Sequence, residues 1–510
     1  MRRILLVLML CPLLASSQWT KVGSTLNTVI TNAGYMGQSV SMSADGSVIA
    51  VGVPGFDAGG GPPTNIGEVL IFQDVGGTWT VIGQPIVGES NGDASGGSTG
   101  NNRDFVTAVS LNDDGTIVAI GAETNDGNGL ESGHVRVYEN VGNVWTQIGA
   151  DIDGAVASDR CGFSVDMNAD GSIVVIGSYR FNGGTGQVRV FENVNGMWTQ
   201  MGGDIDGENF GDQFGFTVSL SDIGTTVAVG APSNAGNGQR SGHVRVYDFT
   251  TGIGSRGMPG NWNQVGVDID GEAAFDESGS AISLSGDGDV VAIGAYLNDG
   301  VVPDTGHVRV YQRMINSWIK IGGDIDGVVV NNGHFGTSVS ISFDGSIVAA
   351  GAPNFNGNGA GSGHVRVFQN VSNIWTQINS DIVGAGPLDQ LGQAVDLNAD
   401  GSRIVVGIPQ QTFGLPNQGV VEVYENATLS TSDLEVNTDI LVYPNPSKDH
   451  FIIESPMPIN EVQIFNVQGQ KVKTFTSPQD KYTIDELQSG AYFVNVMSED
   501  KNTLVKLIKE

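Results

Sequence analysis

The fold is decided by a unit that recurs along the chain, and one copy reads FGTSVSISFDGSIVAAGAP over residues 335–353 and GHVRVFQNVSNIWTQ over residues 363–377. Its SVSI part alternates small and apolar residues at period 2, which predicts a strand with one tightly packed face. The apolar run after the Asp-Gly dipeptide predicts a strand buried on both faces, and Asp-Gly supplies the conformation that a tight hairpin turn requires. The Gly-His-Val-Arg-Val and Trp segments predict two more strands, so each unit is a four-stranded antiparallel sheet.

The tryptophans mark the period of this unit. All seven occupy the same position within it, at intervals of 60, 66, 53, 64, 56 and 57 residues. They are Trp19, Trp79, Trp145, Trp198, Trp262, Trp318 and Trp375. The other segments also recur seven times, with Asp222-Ile-Gly224 in place of Asp-Gly in the fourth copy. Repeated four-stranded units of this length predict the blades of a β-propeller.

The two ends of the repeat region predict how the ring closes. The region starts with a Trp strand at Trp19–Val22, and its seventh unit ends on Val420–Tyr424 without such a strand. A blade that lacks one strand would expose its apolar edge, which is unfavourable. We therefore expect an all-β, seven-bladed propeller over residues 19–426, with the N-terminal strand as the outer strand of the last blade.

The units resemble the FG-GAP repeats of integrin-α-like propellers. The resemblance rests on Phe335–Ser340 followed by Val348–Pro353, and on the Val-Ala-Val-Gly-Ala-Pro ending at Val227–Pro232. It implies the fold and leaves the ligand open, because propellers host many functions. FG-GAP blades often carry a calcium loop of the Asp-x-Asp-x-Asp-Gly kind. The turns here read Ser-Ala-Asp-Gly or Asn-Asp-Asp-Gly, so we interpret them as hairpin turns.

A second domain follows the repeats. Residues 427–438 predict a linker, and residues 439–510 contain short alternating strands that predict a small β-sandwich. This segment resembles the type A C-terminal sorting domain of the type IX secretion system. The residues that carry the resemblance are Tyr443, Pro444, Asn445, Pro446, Gly490, Tyr492, Lys506 and Lys509. It implies a Bacteroidetes-type source, recognition by the outer-membrane translocon, and a place at the cell surface or outside the cell; a plain accessory sandwich is the alternative.

The N-terminus and the charge agree with export. In residues 1–18, Arg2 and Arg3 precede the apolar run Ile4–Leu14 and the small residues Ala15-Ser16-Ser17, which predicts a signal peptide. No later apolar stretch reaches about 18 residues, so we expect no membrane-spanning helix in the mature protein. The formal net charge of −32 disfavours nucleic acid as a ligand, because it repels phosphates.

An acidic element, Asp-Ile-Asp-Gly, follows four of the Trp strands. Its aspartates at i and i+2 lie on the same side of an extended segment, where they can share a calcium ion with backbone carbonyls. The candidate calcium ligands are Asp151, Asp153, Asp204, Asp206, Asp268, Asp270, Asp324 and Asp326. The alternative is a repeated turn, or an ion pair to an arginine of the neighbouring blade, such as Arg136 or Arg245.

Loops that break the repeat are the candidate ligand-binding elements, since loops on a rigid scaffold carry function. Two insertions, Glu89–Asp104 and Thr250–Asn261, and the Asn-rich connections between second and third strands meet this description. The candidate residues are Arg103, Asp104, Arg256, Asn125, Asp126, Asn234 and Asn354. We expect the Asn-rich connections to cluster on one ring face; solvated linkers are the alternative.

The sequence predicts no catalytic residue. Four of six histidines open the third strand at equivalent positions, so we expect them to lie apart and to serve packing and hydrogen bonding rather than a zinc cluster. The His-Glu-x-x-His and Cys-x-x-Cys motifs are absent from the sequence. We expect a monomeric cell-surface or secreted module that binds or adheres to a glycan or protein. The alternative is an extracellular polysaccharide lyase or glycosidase.

Overall fold

The computed structural model describes residues 18–509, except 28–33, 58–63, 99–106, 252–259, 301, 329, 331, 412–416, 427–440, 444–446, 456–458, 467–470, 480, 489 and 498–501. The signal-peptide prediction therefore lies outside the described residues, apart from Gln18. The chain divides into two units, Met1–Leu429 and Ser430–Glu510. Among the described residues, no helix is both long and apolar enough to cross a membrane.

Seven antiparallel sheets make up the first unit within the described residues, and we number them as blades 1 to 7. The first described strand, β1 (Thr20–Lys21), belongs to blade 7. Blade 1 contains β2 (Val40–Met42), β3 (Val48–Val53), β4 (Glu68–Asp74), β5 (Trp79–Val81) and β6 (Ile86–Val87). Blade 2 contains β7 (Val109–Leu111), β8 (Ile117–Ala122), β9 (His134–Asn140), β10 (Trp145–Gln147) and β11 (Ile152–Asp153). Blade 3 contains β12 (Ser164–Met167), β13 (Ile173–Ser178), the helical turn α1 (Phe181–Gly184), β14 (Gln187–Val194), β15 (Met197–Gln200) and β16 (Ile205–Asp206).

The remaining blades repeat this order. Blade 4 contains β17 (Thr217–Leu220), β18 (Thr226–Ala231), β19 (His243–Thr250), β20 (Asn261–Gln264) and β21 (Ile269–Asp270). Blade 5 contains β22 (Ala281–Leu284), β23 (Val290–Ala295), β24 (His307–Arg313), β25 (Trp318–Lys320) and β26 (Ile325–Asp326). Blade 6 contains β27 (Ser338–Ile341), β28 (Ile347–Ala352), β29 (His364–Val371), β30 (Ile374–Gln377) and β31 (Ile382–Val383). Blade 7 contains β32 (Ala394–Leu397), β33 (Arg403–Ile408), β34 (Val420–Glu425) and β1.

The Asp-Gly turn between the first two strands of a blade is held by its own aspartate. In blade 6, Asp344 Oδ1 accepts hydrogen bonds from the Ser346 amide at 2.9 Å and the Ser342 hydroxyl at 2.8 Å. Gly345 follows with a φ of 71°, which favours glycine. Burial opposes ionisation of Asp344, but the hydrogen bonds outweigh it and hold the pKa of this carboxyl below its usual value. The turn residues that the sequence predicted therefore act as hairpin turns.

The first strands of the blades bind one another around the axis through one polar side chain each. Ser340 Oγ, for example, accepts a hydrogen bond from the Leu397 amide of the next blade at 3.0 Å. The equivalent acceptor and amide pairs, at 2.8–3.1 Å, are Ser41 and Leu111, Ser110 and Met167, Asp166 and Leu220, Ser219 and Leu284, Ser283 and Ile341, and Asp396 and Met42. The last pair joins blade 7 to blade 1, so these bonds form a closed ring.

The N-terminal strand completes blade 7, as the sequence predicted. β1 pairs antiparallel with β34, in the register Thr20 to Glu425 and Lys21 to Tyr424. The Lys21 ammonium also lies 2.5 Å from the Glu422 carboxylate. Blade 7 thereby contains counterparts of the first four strands of each other blade, and the prediction of an all-β propeller is confirmed.

A glycine in each second strand permits the blades to pack closely. A Cβ added to Gly351 would overlap the carbonyl oxygen of Gly392, at the start of the next blade. The equivalent glycines meet the same obstacle: Gly52, Gly121, Gly177, Gly230, Gly294 and Gly407. The glycine of the Val-Ala-Ile-Gly-Ala pattern is therefore required by contact between blades.

The tryptophans tie the outer edges of neighbouring blades. Trp145 Nε1 donates to the carbonyl of Ile82, in the preceding blade, at 3.0 Å. Equivalent bonds of 2.8–3.1 Å join Trp79 to Val22, Trp198 to Ile148, Trp262 to Met201, Trp318 to Val265 and Trp375 to Ile321. Each of these tryptophans thus covers apolar surface and satisfies a backbone carbonyl.

The second unit contains two sheets around one core. The first sheet contains β35 (Leu441–Tyr443), β36 (His450–Glu454) and β39 (Tyr482–Thr483). The second contains β37 (Glu461–Asn466), β38 (Lys471–Phe475), β40 (Gly490–Met497) and β41 (Asn502–Lys509). Phe451 and Tyr482 of one sheet pack with Ile464, Val494 and Leu507 of the other, as in a β-sandwich.

Five of the eight predicted sorting residues lie within the described part of the chain. Tyr443 ends β35 and is partly exposed, whereas Tyr492 is buried and its hydroxyl donates to the Gln488 carbonyl at 2.9 Å. Gly490 and Lys509 pair with each other across β40 and β41. Lys506 lies in β41, and Pro444, Asn445 and Pro446 lie outside the described residues.

Candidate functional site

One face of the ring collects two sets of loops, which we call the loop face. They are the connections between second and third strands and the exit loops that lead to the next blade. In blade 2, Asn128 Nδ2 donates to the Gly154 carbonyl at 2.8 Å and so ties the two loops together. Asn237 and Asn358 do the same in blades 4 and 6. The predicted clustering of the Asn-rich connections on one face agrees with this arrangement.

The predicted ligand-binding asparagines serve their own turns. Asn125 and Asn234 are 4% and 3% exposed, and each accepts a hydrogen bond from the amide two residues later at 2.7 Å. Asn354 Nδ2 lies 2.9 Å from His334 Nδ1, and the exposed Asp126 accepts from the Glu131 amide at 2.7 Å. The burial of Asn125 and Asn234 in turns favours a structural role, and ligand binding at the candidate asparagines stays a prediction.

The remaining candidates of that group are Arg103, Asp104 and Arg256. They lie outside the described residues.

Blade 3 departs from the repeat on the loop face. Its connection between second and third strands lacks the Asn-rich pattern and contains α1 instead. Together with the exit loops of blades 2 and 3, this connection borders a cavity of about 480 Å³ that is open to solvent. The cavity is lined by Val156–Asp159, Arg180, Asn182–Gly184, Gly211 and Gln213.

An aromatic side chain stands beside this cavity. Phe210 is 82% exposed, and its ring lies against Gly183, where an added Cβ would overlap it. The Arg180 guanidinium lies 5.5 Å from the ring centre of Tyr179 and donates through Nε to its hydroxyl at 3.1 Å. An exposed ring, a positioned guanidinium and side-chain amides are groups that bind a polar ligand with a flat apolar face.

One carboxyl group lines the cavity among the described residues there. Asp159 is 2% exposed and accepts a hydrogen bond from the Val156 amide at 2.7 Å. Burial raises the pKa of Asp159, and that amide bond opposes the rise. Asp159 thus shapes the exit loop of blade 2.

The predicted calcium ligands fall into two groups. The first aspartate of each motif accepts a bond from the second residue after the Trp position: Gln147 for Asp151, Gln200 for Asp204, Gln264 for Asp268 and Lys320 for Asp324, at 2.6–2.8 Å. The second aspartates, Asp153, Asp206, Asp270 and Asp326, end the short fifth strands and are exposed. These partners, and Arg245 with Asp268, lie within one blade and not in a neighbouring blade as the ion-pair alternative expected. Calcium at these pairs stays a prediction.

At three blade junctions within the described part of the chain, an acidic residue of the exit loop lies close to a histidine and an aspartate of the next blade. The groups are Glu89, His134 and Asp151; Glu208, His243 and Asp268; and Glu272, His307 and Asp324. Burial lowers the pKa of His134, and the nearby Arg136 lowers it further. The sequence analysis missed these glutamates. The pattern that could have identified them is that each directly follows a glycine of the exit loop, as in Gly88-Glu89.

The axis holds a second acidic feature that sequence reasoning missed. The ring of inner-strand side chains lines a cavity of about 160 Å³, and it contains carboxyls at Asp166 and Asp396 where the other blades have serine. Burial raises the pKa of Asp396 to about 7 and that of Asp166 to about 6. Asp222 lines the same cavity, and burial together with Asp113 raises its pKa to about 6. The sequence pattern that could have identified this feature is the aspartate that replaces serine in the first strand of two of the seven repeats.

Two family models match parts of the chain. Residues 441–510 match the secretion system C-terminal sorting domain, and residues 206–247 match the FG-GAP repeat. Both resemblances read from the sequence are thereby confirmed. The sorting domain indicates export by type IX secretion to the cell surface or beyond, and it implies interaction with that secretion system. No curated protein matches the chain in sequence.

Two solved structures resemble the chain in fold. The structure of U3-55K has 12% identity and a TM-score of 0.44, with 80% of this chain and 98% of that chain covered. The periplasmic gluconolactonase PpgL of Pseudomonas aeruginosa has 12% identity and a TM-score of 0.46, with 86% of this chain and 99% of that chain covered. The propeller assignment rests on the sheets and the bonds between them.

Proposed function

We propose that this protein is an exported binding module whose propeller recognises a glycan at the cavity between blades 2 and 3. The observation that carries the proposal is the coincidence of three features at one place. The repeat breaks there, a cavity of about 480 Å³ opens there, and the most exposed phenylalanine of the described chain, Phe210, stands beside it. Loops that depart from a repeat on a rigid scaffold are a common place for a binding site.

A carbohydrate fits these groups better than an apolar ligand does. The apolar face of a sugar ring can pack on the Phe210 ring, while Arg180, Asn182 and Gln213 offer hydrogen bonds to hydroxyl groups. The acidic chain, with its formal net charge of −32, favours neutral over anionic glycans.

Binding without catalysis is part of the proposal. Glycoside hydrolysis ordinarily requires two carboxyl groups that flank the scissile bond. Asp159 is the one carboxyl lining the cavity in the described chain, and it is bonded to its own loop. These features support a binding role over that of a glycosidase.

A glycan array probed with the mature chain tests the proposal. We expect retention on a defined set of neutral glycans, and Phe210→Ala and Arg180→Ala each to weaken it at least about tenfold, because hot-spot contacts are concentrated in few residues. Leu388→Ala is the matched control, since Leu388 is 62% exposed on the exit loop of blade 6. Equal retention by wild type and Phe210→Ala would place binding elsewhere. Release of shortened glycan by the wild-type chain would show an enzyme instead.

A further inference from the structure

The junction of blades 1 and 2 brings together three metal-binding side chains that lie far apart in sequence. Glu89 is in the exit loop of blade 1, while His134 and Asp151 belong to blade 2. One ligand atom from each lies within 4.8 Å of the other two. An imidazole with two carboxylates is a ligand set that suits transition metals.

The His134 imidazole lies buried beside the two carboxylates. Its side chain is 1% exposed, and Nδ1 is the ring nitrogen that faces Asp151 and Glu89. Nδ1 lies 3.6 Å from Asp151 Oδ2 and 3.9 Å from Glu89 Oε2, which is too far for a hydrogen bond.

The distances of 3.6 and 3.9 Å from His134 Nδ1 to the two carboxylate oxygens are close to those between ligands of one metal ion. Donor atoms about 2.0–2.1 Å from a tetrahedral zinc ion lie roughly 3.3–3.4 Å from each other. A small adjustment of the side chains of Glu89 and Asp151 would bring them to that spacing around a shared ion.

The partners of the aspartate distinguish this junction from its two equivalents. At the junction of blades 3 and 4, Arg245 donates two hydrogen bonds of 2.9 Å to Asp268. At the junction of blades 4 and 5, Lys320 lies 2.8 Å from Asp324. A side-chain cation thus already compensates each of these aspartates.

At the junction of blades 1 and 2, the aspartate has a neutral partner instead. Asp151 accepts a hydrogen bond from the side-chain amide of Gln147 at 2.6 Å. Arg136 pairs with the other carboxylate of the group, Glu89, at 3.5 Å. The two carboxylates here therefore carry the least compensated charge of the three groups.

We propose that Glu89, His134 and Asp151 bind a divalent transition-metal ion, for which Zn²⁺ is the probe. Three protein ligands leave a fourth position to water. The ion ties the exit loop of blade 1 to blade 2, and its binding is independent of the glycan site. The nitrogen ligand selects against calcium, which takes oxygen ligands.

Isothermal titration of the untagged, EDTA-stripped mature chain with zinc chloride tests this. We expect a single tight equivalent in the wild type and at least tenfold weaker binding in His134→Gln. Glutamine is compatible with the fold at this position, because blade 3 carries Gln187 there. His243→Gln is the matched control and should bind like the wild type, since Arg245 already holds Asp268.

A second variant and a second readout separate loss of the site from loss of the fold. Glu89→Ala should also weaken zinc binding, and blade 2 has Ala155 at the equivalent place. Co²⁺ bound to the wild type should give visible absorption that both variants lack, with circular dichroism unchanged. Equal zinc binding by wild type and His134→Gln, or a loss in His243→Gln as large as in His134→Gln, would overturn the proposal.

Discussion

Replacing Asp396 by serine tests the energetics of the axial ring. Ser340 occupies the equivalent position in the preceding blade and accepts the same inter-blade hydrogen bond from an amide. The substitution therefore keeps the ring of bonds and removes a carboxyl group. Asp396 is partly exposed to the axial cavity, and its pKa is raised from 3.8 to about 7, chiefly by burial.

The sign of the pH dependence follows from the difference in protonation of Asp396 between the folded and unfolded states. Between about pH 4 and pH 7, the folded protein keeps a proton on Asp396 that the unfolded chain has lost, so the unfolding free energy of the wild type falls as pH rises through this window. A rise from 3.8 to about 7 corresponds to about 4 kcal/mol at about 1.4 kcal/mol per pKa unit. Because water in the cavity screens the carboxylate, we expect a stabilisation of about 1–2 kcal/mol in Asp396→Ser at pH 8.

Urea unfolding followed by tryptophan fluorescence, at pH values from 4 to 8, measures this difference. The stability of Asp396→Ser relative to the wild type should grow from near zero at pH 4 and level off above pH 7. Asp153→Ser, at an exposed aspartate of blade 2, is the control and should show no such growth. A difference that does not change with pH, or a variant less stable than the wild type at pH 8, would refute the reasoning.

Three further predictions concern the ring. Gly351→Ala should cost about 2–4 kcal/mol in unfolding free energy, because its Cβ would overlap the Gly392 carbonyl, whereas Gly323→Ala, which faces open space, should be nearly neutral in the same thermal scan. Trp145→Phe should cost about 1–2 kcal/mol by urea unfolding, since the Ile82 carbonyl loses its donor; an unchanged midpoint would contradict that bond. Deletion of residues 19–25 should lower the thermal unfolding temperature by several degrees, because blade 7 loses its outer strand, and an unchanged temperature would contradict ring closure.

The strands and their order could be predicted from the sequence because each sequence pattern that marks a strand or turn is local and occurs seven times. Asp344-Gly345 marks a turn whatever surrounds it, and Trp145 marks the outer strand in the same way. The contacts between blades could not be predicted from the sequence. The bond from Ser340 to the next blade and the approach of Glu89 to His134 depend on the angle between blades, which no pattern within one unit encodes.

The loop face shows why the role of polar residues in loops is hard to predict from the sequence. Asn125 and Asn234 sit in Gly-rich segments that predict solvated loops, yet their amide groups satisfy the backbone of the turn. The better signal was the loss of that pattern in blade 3, where Arg180 and α1 replace it. Phe210 could be read from the sequence only as one more aromatic residue, because its exposure depends on the neighbouring loop.

A crystal structure of the mature chain tests the central claim, that repeated four-stranded blades close into one ring. The account predicts seven sheets around the axis, Thr20 paired with Glu425, and the Asp396 carboxylate bonded to the Met42 amide. A ring of six or eight sheets, or an open stack in which residues 20–21 lie far from residues 420–425, would contradict it.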